Sequence, residues 1–236
     1  MKDKSSSVSF GVPTQQPINL SRTLPQQVYE NLKSLILEQK LKPGQRLKID
    51  DLKQHFAVST TPIREALMVL AKEGLVLFKP HAGYYVAKPS VKEIGDAFEI
   101  RKIFETYAVA AAIEVAKKNP QQWKIFLREF RVLKNSEPLD LSLDAKAKSL
   151  DEQLHRVLVS ATGNQMLLTL WTSARNITRV AYQLSARTYY GISEHLELVE
   201  SILRGDLEGA VGVIQTHLQN ARDYLLREIN SRTEVK

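Results

Sequence analysis

Four residues in the second half of the chain carry donor atoms suited to a shared cation: Asp151, His155, His195 and His217. Asp151 and His155 stand four apart, so on a helix both side chains leave one face about one turn apart, a spacing that lets two residues share an ion. His195 and His217 flank Arg204-Gly205-Asp206. Antiparallel helices joined at Gly205 would hold both imidazoles at similar heights, each about a dozen residues from the turn, and all four groups can then converge inside a bundle. Three neutral imidazoles and a carboxylate suit Zn, Ni, Mn or Fe. Spacing alone leaves a second reading open, in which each histidine is a hydrogen-bonded core or boundary residue.

The elements that must position these groups are helical. From Val91 onward there is little strand signal, and helical stripes run over 91–117, 120–135, 140–161, 164–185, 189–204 and 206–230, parted by Asn119-Pro120, Glu137-Pro138, Gly163-Asn164 and Arg204-Gly205-Asp206. Six such segments make an antiparallel bundle, and no segment repeats another closely enough for a solenoid. Pro89 before a capping Ser90 marks a linker and the start of the first long helix.

The first half reads differently. Val28, Leu32, Leu35 and Ile36 recur at helical spacing ahead of Leu41-Lys42-Pro43-Gly44-Gln45, and Ile49, Leu52 and Phe56 mark a short second helix. Val58-Ser59-Thr60-Thr61-Pro62-Ile63-Arg64-Glu65-Ala66-Leu67 then predicts a tight turn and a third helix, with Ser59 as its cap and Pro62 in the first turn. Thr60, Thr61 and Arg64 face outward, where such groups can reach phosphates and base edges, and Arg can grip guanine with two bonds. Leu75-Val76-Leu77-Phe78 and Tyr84-Tyr85-Val86 read as strands joined by Lys79-Pro80-His81-Ala82-Gly83. The pattern is a winged helix-turn-helix, so the fold class is mainly α: a winged helix over 23–88 followed by an all-α bundle over 89–236, with 1–22 as a flexible arm rich in Ser, Pro and Gln.

Charge follows that division. The net charge is +7, and residues 1–90 hold 13 Lys and Arg against 7 Asp and Glu, whereas residues 91–236 hold 20 against 19. A basic excess on the winged-helix half favours DNA, with strong salt dependence from counterion release. The absence of cysteine excludes disulfides and a thiolate nucleophile. With no apolar run approaching the roughly 20 residues of a membrane span, and no apolar core in Met1–Ser7, a cytoplasmic location without membrane partners is expected.

The segment from about Val28 to Val86 resembles the GntR family of bacterial transcription regulators, through Leu41-Lys42-Pro43-Gly44, Val58-Ser59, Pro62-Ile63-Arg64-Glu65-Ala66-Leu67, Gly74-Leu75-Val76 and the wing Gly83. Many members carry Arg where this chain has Thr60, and Arg or Lys where it has Ala82, so base preference does not carry over. The later part resembles the FCD effector domain of the FadR-type branch, through Asp151-Glu152-Gln153-Leu154-His155, Ala161-Thr162-Gly163-Asn164, His195, Gly205-Asp206, Ala210 and His217-Leu218.

That resemblance implies a bundle holding a divalent metal through one Asp or Asn and three His, with small organic acids completing the coordination. All four ligand positions match. A six-coordinate ion with four protein ligands keeps two places open for a carboxylate effector, whose other groups need cationic or amide partners. Arg101, where the family often carries arginine, and Arg175 and Asn176 are candidates. The expected protein is a homodimeric regulator, a repressor, presenting two recognition helices to a palindromic operator. Ser59, Thr60, Thr61 and Arg64 would face the major groove, and Lys79, His81 and Gly83 would form the wing. Two other classes stay open. A metal-dependent enzyme on a small carboxylate is disfavoured because Glu152 points about 100° from Asp151 on a helix, a poor place for a general base. The other is a DNA-binding protein whose metal is purely structural.

Overall fold

A computed structural model describes residues 23–136, 141–185 and 191–233. The N-terminal arm lies outside the described residues, as do positions 140, 189 and 190, which the sequence reading places at helix starts, and the Glu137-Pro138 breaker. The chain divides into two compact units between Lys88 and Pro89.

In the first unit, α1 (Leu24–Leu37), α2 (Ile49–Phe56) and α3 (Thr60–Lys72) surround one apolar core. Val28, Leu32, Leu35 and Ile36 recur every three or four residues, so one stripe of α1 is buried where it packs on α3, itself burying Ile63, Ala66, Leu67 and Leu70. Ala57, left-handed at φ 53°, turns the chain out of α2. A three-stranded antiparallel sheet completes the unit, with β1 (Arg46–Leu47), β2 (Val76–Lys79) and β3 (Gly83–Val86) in the order β1-β3-β2. The sequence shows no sign of β1: two residues have no periodicity, and this strand exists only because Tyr85 and Tyr84 supply its partners. At the wing tip the Ala82 N–H bonds the Lys79 carbonyl at 3.0 Å, and Gly83 takes φ +95°, a conformation open to glycine at little cost.

The second unit is a bundle of α4 (Val91–Lys118), α5 (Gln121–Asn135), α6 (Leu141–Ser160), α7 (Gln165–Tyr182), α8 (Ile192–Arg204) and α9 (Leu207–Thr233). α4 is its axis, packing against α6, α7, α8 and α9. Trp123, Phe126, Phe130, Leu154, Leu158, Trp171, Leu198, Ile202, Ile214 and Leu225 fill the interior. α7 stops at Tyr182, short of the expected 185, because Gln183, Leu184 and Ser185 bond three residues back instead of four, a tightening that ends the α pattern. The tight α8–α9 turn runs through Gly205 at φ +73°, with the Asp206 N–H reaching the Ser201 carbonyl at 2.9 Å.

α4 begins in a capping box. Ser90 Oγ accepts from the Glu93 N–H at 3.2 Å and Glu93 Oε2 accepts from the Ser90 N–H at 2.8 Å. Ser90→Ala is expected to cost about 1 kcal/mol in urea unfolding. The Ser90 N–H, then its hydroxyl, hold the Glu93 carboxyl below the ordinary range. Since the folded value is the lower one, this contribution is complete above the ordinary Glu range and fades as pH falls through the lowered value. The Ser90→Ala penalty should therefore shrink in acid, and a penalty that stays constant with pH would show that the box contributes nothing through the Glu93 charge.

Candidate functional site

Asp151 and His155 leave one face of α6 because they are one turn apart, His195 comes from α8, and His217 from α9. The structure brings all four together, with one donor atom from each lying within 4.8 Å of all the others. His155 Nε2 is 3.1 Å from His195 Nε2, and Asp151 Oδ1 is 3.5 Å from both. Donors bonded at about 2.1 Å to one ion stand about 3.0 Å apart at right angles and about 3.4 Å apart in a tetrahedron, so these separations are those of a ligand shell. The three imidazoles are buried, and the Asp151 side chain keeps 14 % exposure.

Surrounding groups orient the rings. Glu105 Oε2 takes His155 Nδ1 at 2.6 Å, and Glu194 Oε2 takes His217 Nδ1 at 2.8 Å. In a neutral imidazole with the proton on Nδ1, Nε2 presents a lone pair, so these carboxylates aim Nε2 of both rings as ligands. The Glu105 carboxylate is itself fixed by Arg101 Nε and Trp171 Nε1, each at 2.8 Å from Oε1. Burial alone would raise its pKa, but the Arg101 guanidinium and the His155 imidazole reverse that and hold it ionised. Burial, followed by the charge of neighbouring His217, pushes His195 well below the usual imidazole range, and burial also lowers His217. Both shifts favour the neutral, ligating form, whereas at His155 burial is outweighed by the Glu105 and Asp151 carboxylates together, which raise the imidazole. Among the described residues His195 Nδ1 has no hydrogen-bond partner. A divalent cation among the four donors satisfies the facing nitrogen lone pairs at once, so the residues fit such an ion.

Close packing requires glycine beside the centre. A Cβ on Gly191, at φ +57°, would lie 2.6 Å from His217 Nδ1 and 2.7 Å from Glu194 Oε2. Glu105, Glu194, Trp171 and Gly191 escaped the sequence reading. The i,i+4 spacing of Arg101 and Glu105 was the available signal for the first; nothing local distinguishes the others.

The effector candidates separate. Arg101 is buried on α4, with Nε on Glu105 and Nη2 without a partner among the described residues. Arg175, read from sequence as an effector cation, is bonded to protein carboxylates: its Nη2 donates to Asp151 Oδ2 and its Nε to Glu152 Oε2 at 3.2 Å. Two acidic residues in succession on α6 present both carboxylates to α7. Asn176 is buried beside it. Glu152 turns away from the imidazoles to Arg175 and Arg179.

In the first unit Ser59, Thr61 and Arg64 are exposed and Thr60 is half-buried. Ser59 occupies the N-cap of α3 but makes no capping bond. A cap hydroxyl accepts from the second or third helical N–H, and the third residue here is Pro62, which has none. The hydroxyl is left for other partners. Met68, also exposed, lies one turn beyond Arg64 on the same face. On the wing, Lys79 Nζ sits 4.9 Å from the centroid of the Tyr85 ring, and His81 is exposed at the tip with φ 61°.

A winged helix-turn-helix followed by a helical bundle around a buried Asp-His-His-His cluster defines a two-domain DNA-binding transcription regulator. The chain belongs to the GntR family of bacterial regulatory proteins, whose model matches residues 24–86, and carries an FCD domain over residues 96–220. It is 28 % identical over 213 residues to an HTH-type transcriptional regulator in an unstable DNA locus of Streptomyces ambofaciens, covering 87 % of this chain and 86 % of that protein. It is 24 % identical to the HTH-type transcriptional repressor RspR of Escherichia coli K12, covering 91 % of this chain and 95 % of the relative. A GntR transcriptional regulator of Rhodococcus sp. RHA1 shares the fold at TM-score 0.71 and 20 % identity, over 86 % of this chain and 97 % of that one. The Zn2+-bound FCD domain of TM0439 matches at TM-score 0.50 and 22 % identity, over 61 % of this chain and 99 % of that one. Among the described residues no helix is long and apolar enough to cross a membrane.

Proposed function

We propose that this protein is a metal-dependent repressor that a small organic acid releases from a palindromic operator. The convergence of Asp151, His155, His195 and His217 on one point carries the reading. These residues would hold a divalent ion, and the zinc named for the TM0439 domain makes zinc the first ion to try. When bound, the ion supplies Lewis acidity toward an oxygen ligand. Arg101 Nη2, a buried donor without a partner among the described residues, supports a role in gripping the acid's carboxylate, because an unsatisfied guanidinium N–H is costly to bury. Ser59, Thr60, Thr61 and Arg64 read the major groove, with Lys79, His81 and Gly83 on the wing.

Homodimerisation is supported by apolar residues left on the surface of two helices that pack together. Ile103 and Tyr107 of α4 are 65 % and 67 % exposed, and Met166 and Leu170 of α7 are 75 % and 54 % exposed. Large apolar groups repeated at helical spacing on the outside mark a protein contact. The repressor sense rests on relatives such as RspR and GlaR of E. coli, both called repressors.

Thermal-shift screening of zinc-loaded protein against small organic acids tests the reading. A stabilising acid should also weaken operator binding, and chelation of zinc should abolish that response. Ligand-dependent DNA release that survives chelation would overturn the metal-dependent mechanism, and conversion of an acid to product would move the protein to the enzyme class.

A further inference from the structure

We propose that Arg175 sets which ions the centre accepts, by holding Asp151 to a single ligating oxygen. This rests on the reading of the four-donor cluster as a metal centre. The two carboxylate oxygens of Asp151 are divided between different partners. Oδ1 faces the imidazoles, 3.5 Å from Nε2 of both His155 and His195, while Oδ2 accepts from Arg175 Nη2.

Arg175 is not free to yield Oδ2. It is buried, and its Nε is held by Glu152 Oε2 at 3.2 Å, while Glu152 Oε1 is held in turn by Arg179 Nη1 at 3.3 Å. The guanidinium is thus clamped on α7 by consecutive acidic residues of α6. For Asp151 to chelate an ion with both oxygens, Oδ2 would have to turn inward. That breaks a charge-assisted bond and strips a buried guanidinium of one of its two anions.

The consequence is selectivity. Zinc and nickel are satisfied by imidazoles with one carboxylate oxygen, whereas manganese relies more on oxygen ligands and gains from a chelating carboxylate. An Asp151 restricted to Oδ1 withholds that gain and leaves neighbouring positions on the ion for an outside ligand. Arg175 is in this sense a positioning residue, acting on the ion through Asp151.

The test is competitive titration of the full chain with zinc and manganese, comparing the ratio of their dissociation constants. In Arg175→Met, which cannot donate, the preference for zinc should fall by about tenfold or more, the scale on which partners of metal ligands act. Arg175→Lys, which keeps one cationic donor for Oδ2, should retain most of the wild-type preference. An unchanged ratio in Arg175→Met, or equal ratios in the Met and Lys variants, overturns the proposal. Infrared difference spectra of the zinc-loaded wild type, with Asp151→Asn locating the bands, provide a measurement independent of whether Arg175→Met folds. Carboxylate stretches of one-oxygen coordination are expected, and those of a chelating carboxylate overturn the proposal. A wild-type chain that binds neither ion fails differently, since it removes the metal centre itself.

Discussion

If the four-donor cluster holds zinc as proposed, replacing His155 by alanine is expected to abolish tight binding, raising the dissociation constant more than about a hundredfold, beyond the range seen when only a ligand's outer partner is lost. His155 supplies one of four donors and is the only one tied through Nδ1 to a buried carboxylate that an arginine and a tryptophan also fix. Removing it therefore has a second effect. Glu105 loses a hydrogen-bond partner while fully buried, a loss of about 1–3 kcal/mol in the folding of the second unit. Calorimetric zinc titration and urea unfolding of the same variant separate the two effects, and His81→Ala, on the wing, is the control that should change neither. Zinc affinity in His155→Ala within threefold or so of wild type would mean that the cluster is a hydrogen-bonded core and not a metal centre.

Arg64→Ala should cost about 1–3 kcal/mol of specific DNA binding, the range for a lost bidentate contact to a base. Arg64 is exposed one turn into α3, on the outer face of the helix. Zinc affinity should not change, because Arg64 and the four-donor cluster lie in separate compact units. Fluorescence anisotropy with a duplex selected from a random pool, and with its scrambled counterpart, checks the prediction. If the ratio of specific to scrambled affinity is the same in wild type and Arg64→Ala, this residue reads no base, and the specificity lies with Thr60, Thr61, Met68 or the wing.

Much of the fold could be read from local pattern. The stripes of Val28, Leu32, Leu35 and Ile36 and of Ile63, Leu67 and Leu70 are produced by one-sided burial at the helical period, and they sit in the core of the first unit. Asp151 and His155 were legible together because helical geometry relates residues four apart without reference to the rest of the chain. The pairing of His195 with His217 follows from the turn at Gly205, whereas the meeting of all four donors depends on where α6 packs in the bundle. By contrast β1 has no local signature, and Ser59 has the residue type of a cap but makes no capping bond, because Pro62 removes the third helical N–H.

Sequence by itself determined the order of a winged helix and a helical bundle, their helices, and the four candidate donors, since periodicity, turn residues and i,i+4 spacing are local properties. Tertiary structure alone decided what those donors do to one another. Glu105 lies 50 residues from His155 and Glu194 lies 23 from His217, yet they aim the rings, and Arg175, 24 residues from Asp151, bonds its carboxylate. Such pairings arise where packed helices bring distant charges into a space without water, where an unpaired charge is too costly to leave. No spacing along the chain records which partner will be there.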